Sequence, residues 1–245
     1  MTYPVFIALF TAHCSLFTAH CSLLIVHCSL FIAHCSLFTA HCMTETLIIF
    51  SRYPEPGKTK TRMIPALGAV GAAQLQRQMT EHTLKTAIAL TSSRQVAIEV
   101  HFAGGNRLLM QEWLGEREYV AQTSGDLGEK MRSAFDRAFA RGSQRVVIIG
   151  IDCPDIDRQI LTQAFDSLNH HNLVLGMAED GGYYLIGLNR LVPELFKNID
   201  WGTERVLEQT KNTAEKLQLK FHCLTTLADV DRPEDLKIWQ KHILQ

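Results

Sequence analysis

The chain has 245 residues, 47% hydrophobic and 20% charged, with a formal net charge of −1. That balance suits a soluble α/β domain and lacks the basic excess that a nucleic-acid binder needs. The average hides a division: residues 1–42 contain no Asp, Glu, Lys or Arg, so all 24 basic and 25 acidic residues lie beyond Cys42.

The uncharged segment is a repeat of period seven (HCSLFTA, HCSLLIV, HCSLFIA, HCSLFTA, HC) that takes five of the seven cysteines and five of the eleven histidines. A zinc array would space its ligands as C-x2–4-C with H-x3–5-H, which adjacent His-Cys pairs do not match. A membrane anchor would be long enough, but polar residues recur in every repeat and no basic flank sets an orientation. A secretory signal would open with a positive segment, and there is none. The expectation is that residues 1–42 are a low-complexity, disordered stretch or a mis-assigned start, with Met43 opening the working domain, 43–245. The rival from another class is a non-enzymatic protein tethered to a membrane or metal through the repeat. Outside it only Cys153 and Cys223 remain, too few for a disulfide framework, which points to a reducing cytoplasm.

From Thr46 the pattern alternates. Thr46–Phe50 (TLIIF) reads as a buried strand, and Ser51–Pro65 as a polar loop with three prolines and a glycine. Ala66–Thr91 has helical spacing through Leu75, Met79, His82, Leu84 and Ile88. Gln95–Phe102 is a strand, Arg107–Leu114 a short helix and Tyr119–Ala121 a third strand, followed by a helix to Ala140. Arg145–Ile151 is the fourth strand and Arg158–Leu168 its helix. Asn172–Met177 and Tyr183–Leu188 pair back across a Gly-Gly turn, giving one antiparallel element. The helix Thr203–Leu217, a strand at Phe221–Leu224 and the helix Pro233–Ile243 close the chain. Strands alternating with helices predict βαβ units in a mostly parallel sheet.

Several strand ends carry polar groups where open α/β sheets bind ligands. The loop from Arg52 to Arg62 (RYPEPGKTKTR) could offer Arg52, Lys58, Lys60 and Arg62 to nucleotide phosphates; a plain solvated basic loop is the alternative. Its Gly-Lys-Thr is not a P-loop, because Arg52 stands where that motif needs its first glycine and two prolines remove donors. In Gly125-Asp126-Leu127-Gly128 the glycines allow close backbone approach and Asp126 can accept from a base or ribose, or cap the next helix. Asp152 and Asp155 follow the fourth strand, either as ligands or as caps. Glu179 and Asp180 lie in the turn before Gly181, Gly182 and Tyr183, where a carboxylate could act on an acceptor hydroxyl; a plain Asp-Gly hairpin is the alternative. Asp229 and Asp231 follow the last strand, again with helix capping as the alternative.

Taken together, FSRYPEPGKTKTRM, QTSGDLGEKM, VVIIGIDCPD, AEDGGYYLIGL, IDWGTERVLEQT and LADVDRPEDL resemble, in this order from Leu47 to Trp239, one family of small GT-A-fold transferases. These are described as radical-SAM/selenodomain-associated transferases and as arsenosugar-biosynthesis glycosyltransferases. The resemblance implies a GT-A (nucleotide-diphospho-sugar transferase) fold, a Rossmann-like three-layer sandwich on a mostly parallel mixed sheet, shared with the molybdenum-cofactor and phospholactate nucleotidyltransferases. It implies Mg2+ or Mn2+ held by Asp152, in a sequence that is not a literal D-x-D. Asp231 or Asp229 is the candidate for the second ligand by analogy. Lys60 and Arg62 would hold phosphates, Gly125–Gly128 would line base or ribose, Asp180 with Glu179 would serve the acceptor, and Tyr183 or Trp201 would pack on a sugar. The activity implied is glycosyl transfer from a nucleotide-sugar to a small hydroxyl acceptor, with no nucleic-acid or membrane partner. The near alternative is a nucleotidyltransferase that joins an NTP to a phosphorylated acceptor and releases pyrophosphate.

Overall fold

Aliphatic runs without alternation produce strands covered on both sides. In β1 (Glu45–Arg52), Leu47 and Ile49 enter one apolar cluster while Ile48 and Phe50 enter the other. The computed structural model describes residues 44–243; the repeat of residues 1–42 and the readings attached to it lie outside them.

The remaining strands are β2 (Ala97–Ala103), β3 (Glu118–Ala121), β4 (Arg145–Ile149), β5 (Leu173–Ala178), β6 (Tyr183–Leu188) and β7 (Phe221–Leu227). The helices are α1 (Ile64–Leu90), α2 (Arg107–Leu114), α3 (Leu127–Ala140), α4 (Arg158–Ser167), α5 (Val206–Lys216) and α6 (Leu236–Ile243). The seven strands form one sheet in the order β3-β2-β1-β4-β6-β5-β7. Only β6 runs against its neighbours, antiparallel to both β4 and β5. α1, α2, α4 and α6 pack on one face with Leu47, Ile49 and Val147; α3 and α5 pack on the other with Ile48, Ile148 and Ile186. The result is the expected three-layer, mostly parallel mixed sheet.

Where boundaries differ from expectation, a local interaction decides. β4 stops at Ile149: Gly150 N still bonds Tyr184 O at 3.1 Å, but the chain then bends so that Val230 N reaches Asp152 O at 2.8 Å. α5 starts at Val206, because Thr203 is held in a turn on Asp200 O. α1 is broken at Gly68, whose φ of 70° and ψ of 169° are not helical. The 3-10 turns Thr61–Met63 and Pro193–Phe196 are too short to carry a periodic signal.

The topology fixes where a ligand can enter. From β1 the chain steps outward to β2 and β3, then returns to place β4 on the other flank of β1. That reversal leaves a crevice at the carboxyl ends of β1 and β4, the switch point at which open α/β sheets bind their ligands.

Candidate active site

A cleft of about 760 Å³ occupies this switch point. Its walls come from the ends of β1 (Phe50, Ser51, Arg52) and β4 (Ile148), the residues just after β4 (Gly150, Ile151, Asp152), the start of β6 (Tyr183–Ile186), the first turns of α3 and the β1–α1 loop. Arg52, Lys58, Lys60, Arg62, Asp152, Asp231 and Tyr183, all singled out in the sequence, line it.

Three chain segments meet at Asp152. Lys60 Nζ donates to Asp152 Oδ1 at 2.8 Å and to Val230 O at 2.5 Å. The Lys60 side chain is only 4% exposed, whereas that of Asp152 is 50% exposed and open to the cleft. Lys60 reaches this position from a left-handed backbone (φ 45°, ψ 45°), a conformation that costs a non-glycine residue about 1 kcal/mol or more and persists only where its surroundings enforce it. Beside it, Arg62 forms an ion pair with Asp231.

The capping alternatives are settled residue by residue. Asp157, not Asp152 or Asp155, caps α4, accepting from Ile160 N at 2.8 Å. Asp155 pairs with His242 at 3.0 Å. Asp235 accepts from Arg232 N at 2.8 Å and Asp231 N at 3.1 Å, so the side chains of Asp229 and Asp231 are not consumed in capping. Asp126, by contrast, does cap: its Oδ1 accepts from Glu129 N at 2.8 Å at the head of α3. Asp180 Oδ1 accepts from Gly182 N at 2.8 Å, the local bond of a hairpin turn.

The acids form one rim. Burial raises the Asp229 carboxyl above its ordinary value, and Asp180 and Asp231 add to the effect. Asp180 and Asp229 also reinforce Asp231 in holding Arg62 protonated. Cys153 is buried beside the same acids; burial, then Asp152, Asp229 and Asp180, push its thiol up, so it is an inert core group rather than a nucleophile.

Other candidates have structural partners. A Cβ on Gly128 would lie 2.7 Å from the Trp201 ring and 2.8 Å from Phe196 O, so this glycine admits Trp201. Trp201 stands edge-on to Tyr183, with ring centroids 6.5 Å apart. Gly125 takes a φ of 104° in the turn before α3. Gly125, Asp126, Gly128, Glu179, Asp180, Gly181, Gly182 and Trp201 are not among the cleft-lining residues, although Leu127 and Tyr183 beside them are.

The sequence reading passed over Gln76, Gln122 and Lys130, which also line the cleft. The helical spacing of Leu127, Lys130 and Met131 put all three on one face, which was the available signal. Among the described residues no group of three His, Cys, Asp or Glu side chains is placed to hold a metal ion. The donors present are carboxylate oxygens. They fit a hard cation that binds through one or two carboxylates and takes its other ligands from substrate phosphates and water.

The fold and the switch-point cleft define a transferase-like enzyme with the nucleotide-diphospho-sugar transferase fold. The chain belongs to the family described as "uncharacterized protein conserved in bacteria (DUF2064)", whose model matches residues 80–203. It is 32% identical to a candidate nucleotide-diphospho-sugar transferase from Desulfovibrio desulfuricans, with a TM-score of 0.75 over 81% of this chain and 87% of that one. At fold level it is similar to the 4-diphosphocytidyl-2C-methyl-D-erythritol synthase of Anaerococcus prevotii, at 11% identity and TM-score 0.57 over 84% and 98% of the two chains. It is also similar to Rv0371c of Mycobacterium tuberculosis, solved in complex with manganese, at 14% identity and TM-score 0.50 over 80% and 98%. No curated protein sequence matches the chain. Among the described residues no helix is long and apolar enough to cross a membrane.

Proposed function

We propose that this protein transfers a glycosyl group from a nucleotide-sugar to the hydroxyl of a small acceptor. The observation that carries the reading is Asp152, a half-exposed carboxylate at the end of a buried strand, held by Lys60 on the wall of the switch-point cleft. A leaving nucleoside diphosphate gains charge as the glycosyl bond breaks, and fixed cations lower the barrier by meeting that charge. Lys58, Lys60 and Arg62 come from one loop and border the cleft where a diphosphate would lie. Mg2+ or Mn2+, entering with the diphosphate on Asp152 and Asp231, would add charge neutralisation of the same kind. The acid rim of Asp180, Asp229 and Asp231 favours a neutral hydroxyl acceptor over a phosphorylated one, and Asp180 is the carboxylate assigned to the acceptor side. Both thiols of the domain, Cys153 and Cys223, are free, which suits a reducing cytoplasm.

Side-by-side incubation with nucleotide-sugars and NTPs, in Mg2+ or Mn2+, tests the reaction. Slow, metal-dependent release of nucleoside diphosphate from a nucleotide-sugar is expected when the acceptor is absent. Pyrophosphate release from an NTP, with no turnover of any nucleotide-sugar, assigns the protein to nucleotidyl transfer instead. We also place the whole activity in residues 43–245. Deleting residues 1–42 should leave donor turnover and the thermal transition unchanged; loss of both would favour the tethering alternative.

A further inference from the structure

We infer that Lys130 is an anion-binding residue of the cleft, holding a phosphoryl oxygen of the ligand from the side opposite the β1–α1 loop. The inference rests on the reading of the cleft as a nucleotide site and adds a residue to it. Five basic and two acidic residues line the cleft, so its charge suits a polyanion. Most of those cations are already matched: Lys58 by Glu55 at 2.7 Å, Lys60 by Asp152 at 2.8 Å and Arg62 by Asp231. Arg52 makes only a long bond to Lys58 O, 3.5 Å. Lys130 has no ion pair and no side-chain hydrogen bond among the described residues. A matched cation shares its donors and its charge with a carboxylate, whereas Lys130 has all three ammonium N–H donors free for a phosphate.

No ion pair or side-chain hydrogen bond among the described residues accounts for its position. Lys130 is the fourth residue of α3, where the helix macrodipole disfavours positive charge. The acid one turn before it, Asp126, would be its natural partner, but that carboxylate is engaged in capping. The side chain instead borders the cleft between Leu127 and Met131. α3 packs on the sheet face of Ile48, whereas the β1–α1 loop leads to the face of Leu47. Lys130 is therefore the cation that reaches the sheet edge from the α3 side, and a diphosphate at the switch point would be gripped from both layers.

The experiment is calorimetric titration of the full chain with inorganic pyrophosphate and with UDP and GDP, in Mg2+, for wild type, Lys130→Met, Lys130→Arg and Lys85→Met. Lys85 is exposed on α1 and absent from the cleft lining, so its variant controls for lost net charge. Lys130→Met should weaken each ligand by about 10- to 100-fold, the loss expected for one charge-assisted bond. Lys130→Arg should stay close to wild type, and Lys85→Met should match wild type. Equal affinity of Lys130→Met and wild type overturns the inference while leaving the nucleotide site standing, as does an equal loss in both Met variants. If the wild type binds none of the three ligands, the nucleotide-site reading fails and the inference falls with it. Matching thermal transitions among the variants establish that the comparison is made on folded protein.

Discussion

Asp152→Asn is expected to lower turnover of the nucleotide donor by about 100- to 1000-fold, the range seen when one group that meets transition-state charge is removed. The amide keeps the shape of the carboxylate but removes its charge and one acceptor oxygen. Calorimetry with UDP or GDP, with and without Mn2+, gives a readout independent of activity: wild type should bind more tightly with the ion, and the variant should lose most of that difference. An unchanged metal-dependent affinity would remove Asp152 from the site. Stability should fall much less than turnover. The substitution leaves the buried Lys60 ammonium with only Val230 O as a full partner, but Asp152 is half exposed and water can take its place. A loss of about 1 kcal/mol is expected, below the 3–5 kcal/mol of a fully buried pair.

Gly181→Ala should produce the opposite profile, with stability falling first. Gly181 has a φ of 86°, and a Cβ there would lie 2.2 Å from Glu204 O and 2.7 Å from Glu204 Cα. The obstruction is backbone rather than a movable side chain, and Gly181 O also accepts from Leu207 N at 3.0 Å. A left-handed alanine and the clash together should cost on the order of 3 kcal/mol. In a domain of this size that corresponds to a fall of about 6–12 °C in Tm, measured by scanning calorimetry. Because the same turn carries Asp180, turnover at temperatures below the transition reports whether that carboxylate serves the acceptor. A variant as stable as wild type would mean that the Glu204 segment yields freely.

The sheet was legible because its strands are covered on both faces and so read as uninterrupted aliphatic runs, such as VVII in β4. The reversed strand was legible in Asp180-Gly181-Gly182, whose chemistry turns the chain back on itself. Individual acids at strand ends were legible as candidates, but not which of them cap a helix or close a turn, as Asp126, Asp157 and Asp180 do. Nor were their partners. Lys60 and Asp152 are 92 positions apart and meet only because β4 returns beside β1. Gly128 read as a nucleotide-approach glycine because nothing local reveals that Trp201 fills the space above it. Lys130 was missed for a different reason: its spacing puts it on one face with Leu127 and Met131, but nothing local shows that this face borders a cleft. Asp157 rather than Asp155 as the cap of α4 was a matter of two residues, which spacing alone does not resolve.

The bonds at Val230 bear on the order in which this molecule comes to life. Its N–H donates to Asp152 O and its carbonyl accepts from Lys60, so the first loop of the domain, the middle strand end and the last loop are tied at one residue. During synthesis the sheet from β1 to β6 can be complete while Lys60 and Asp152 still lack their third anchor. The bonding of Lys60 and Asp152 is therefore completed only when the segment after β7 has joined them.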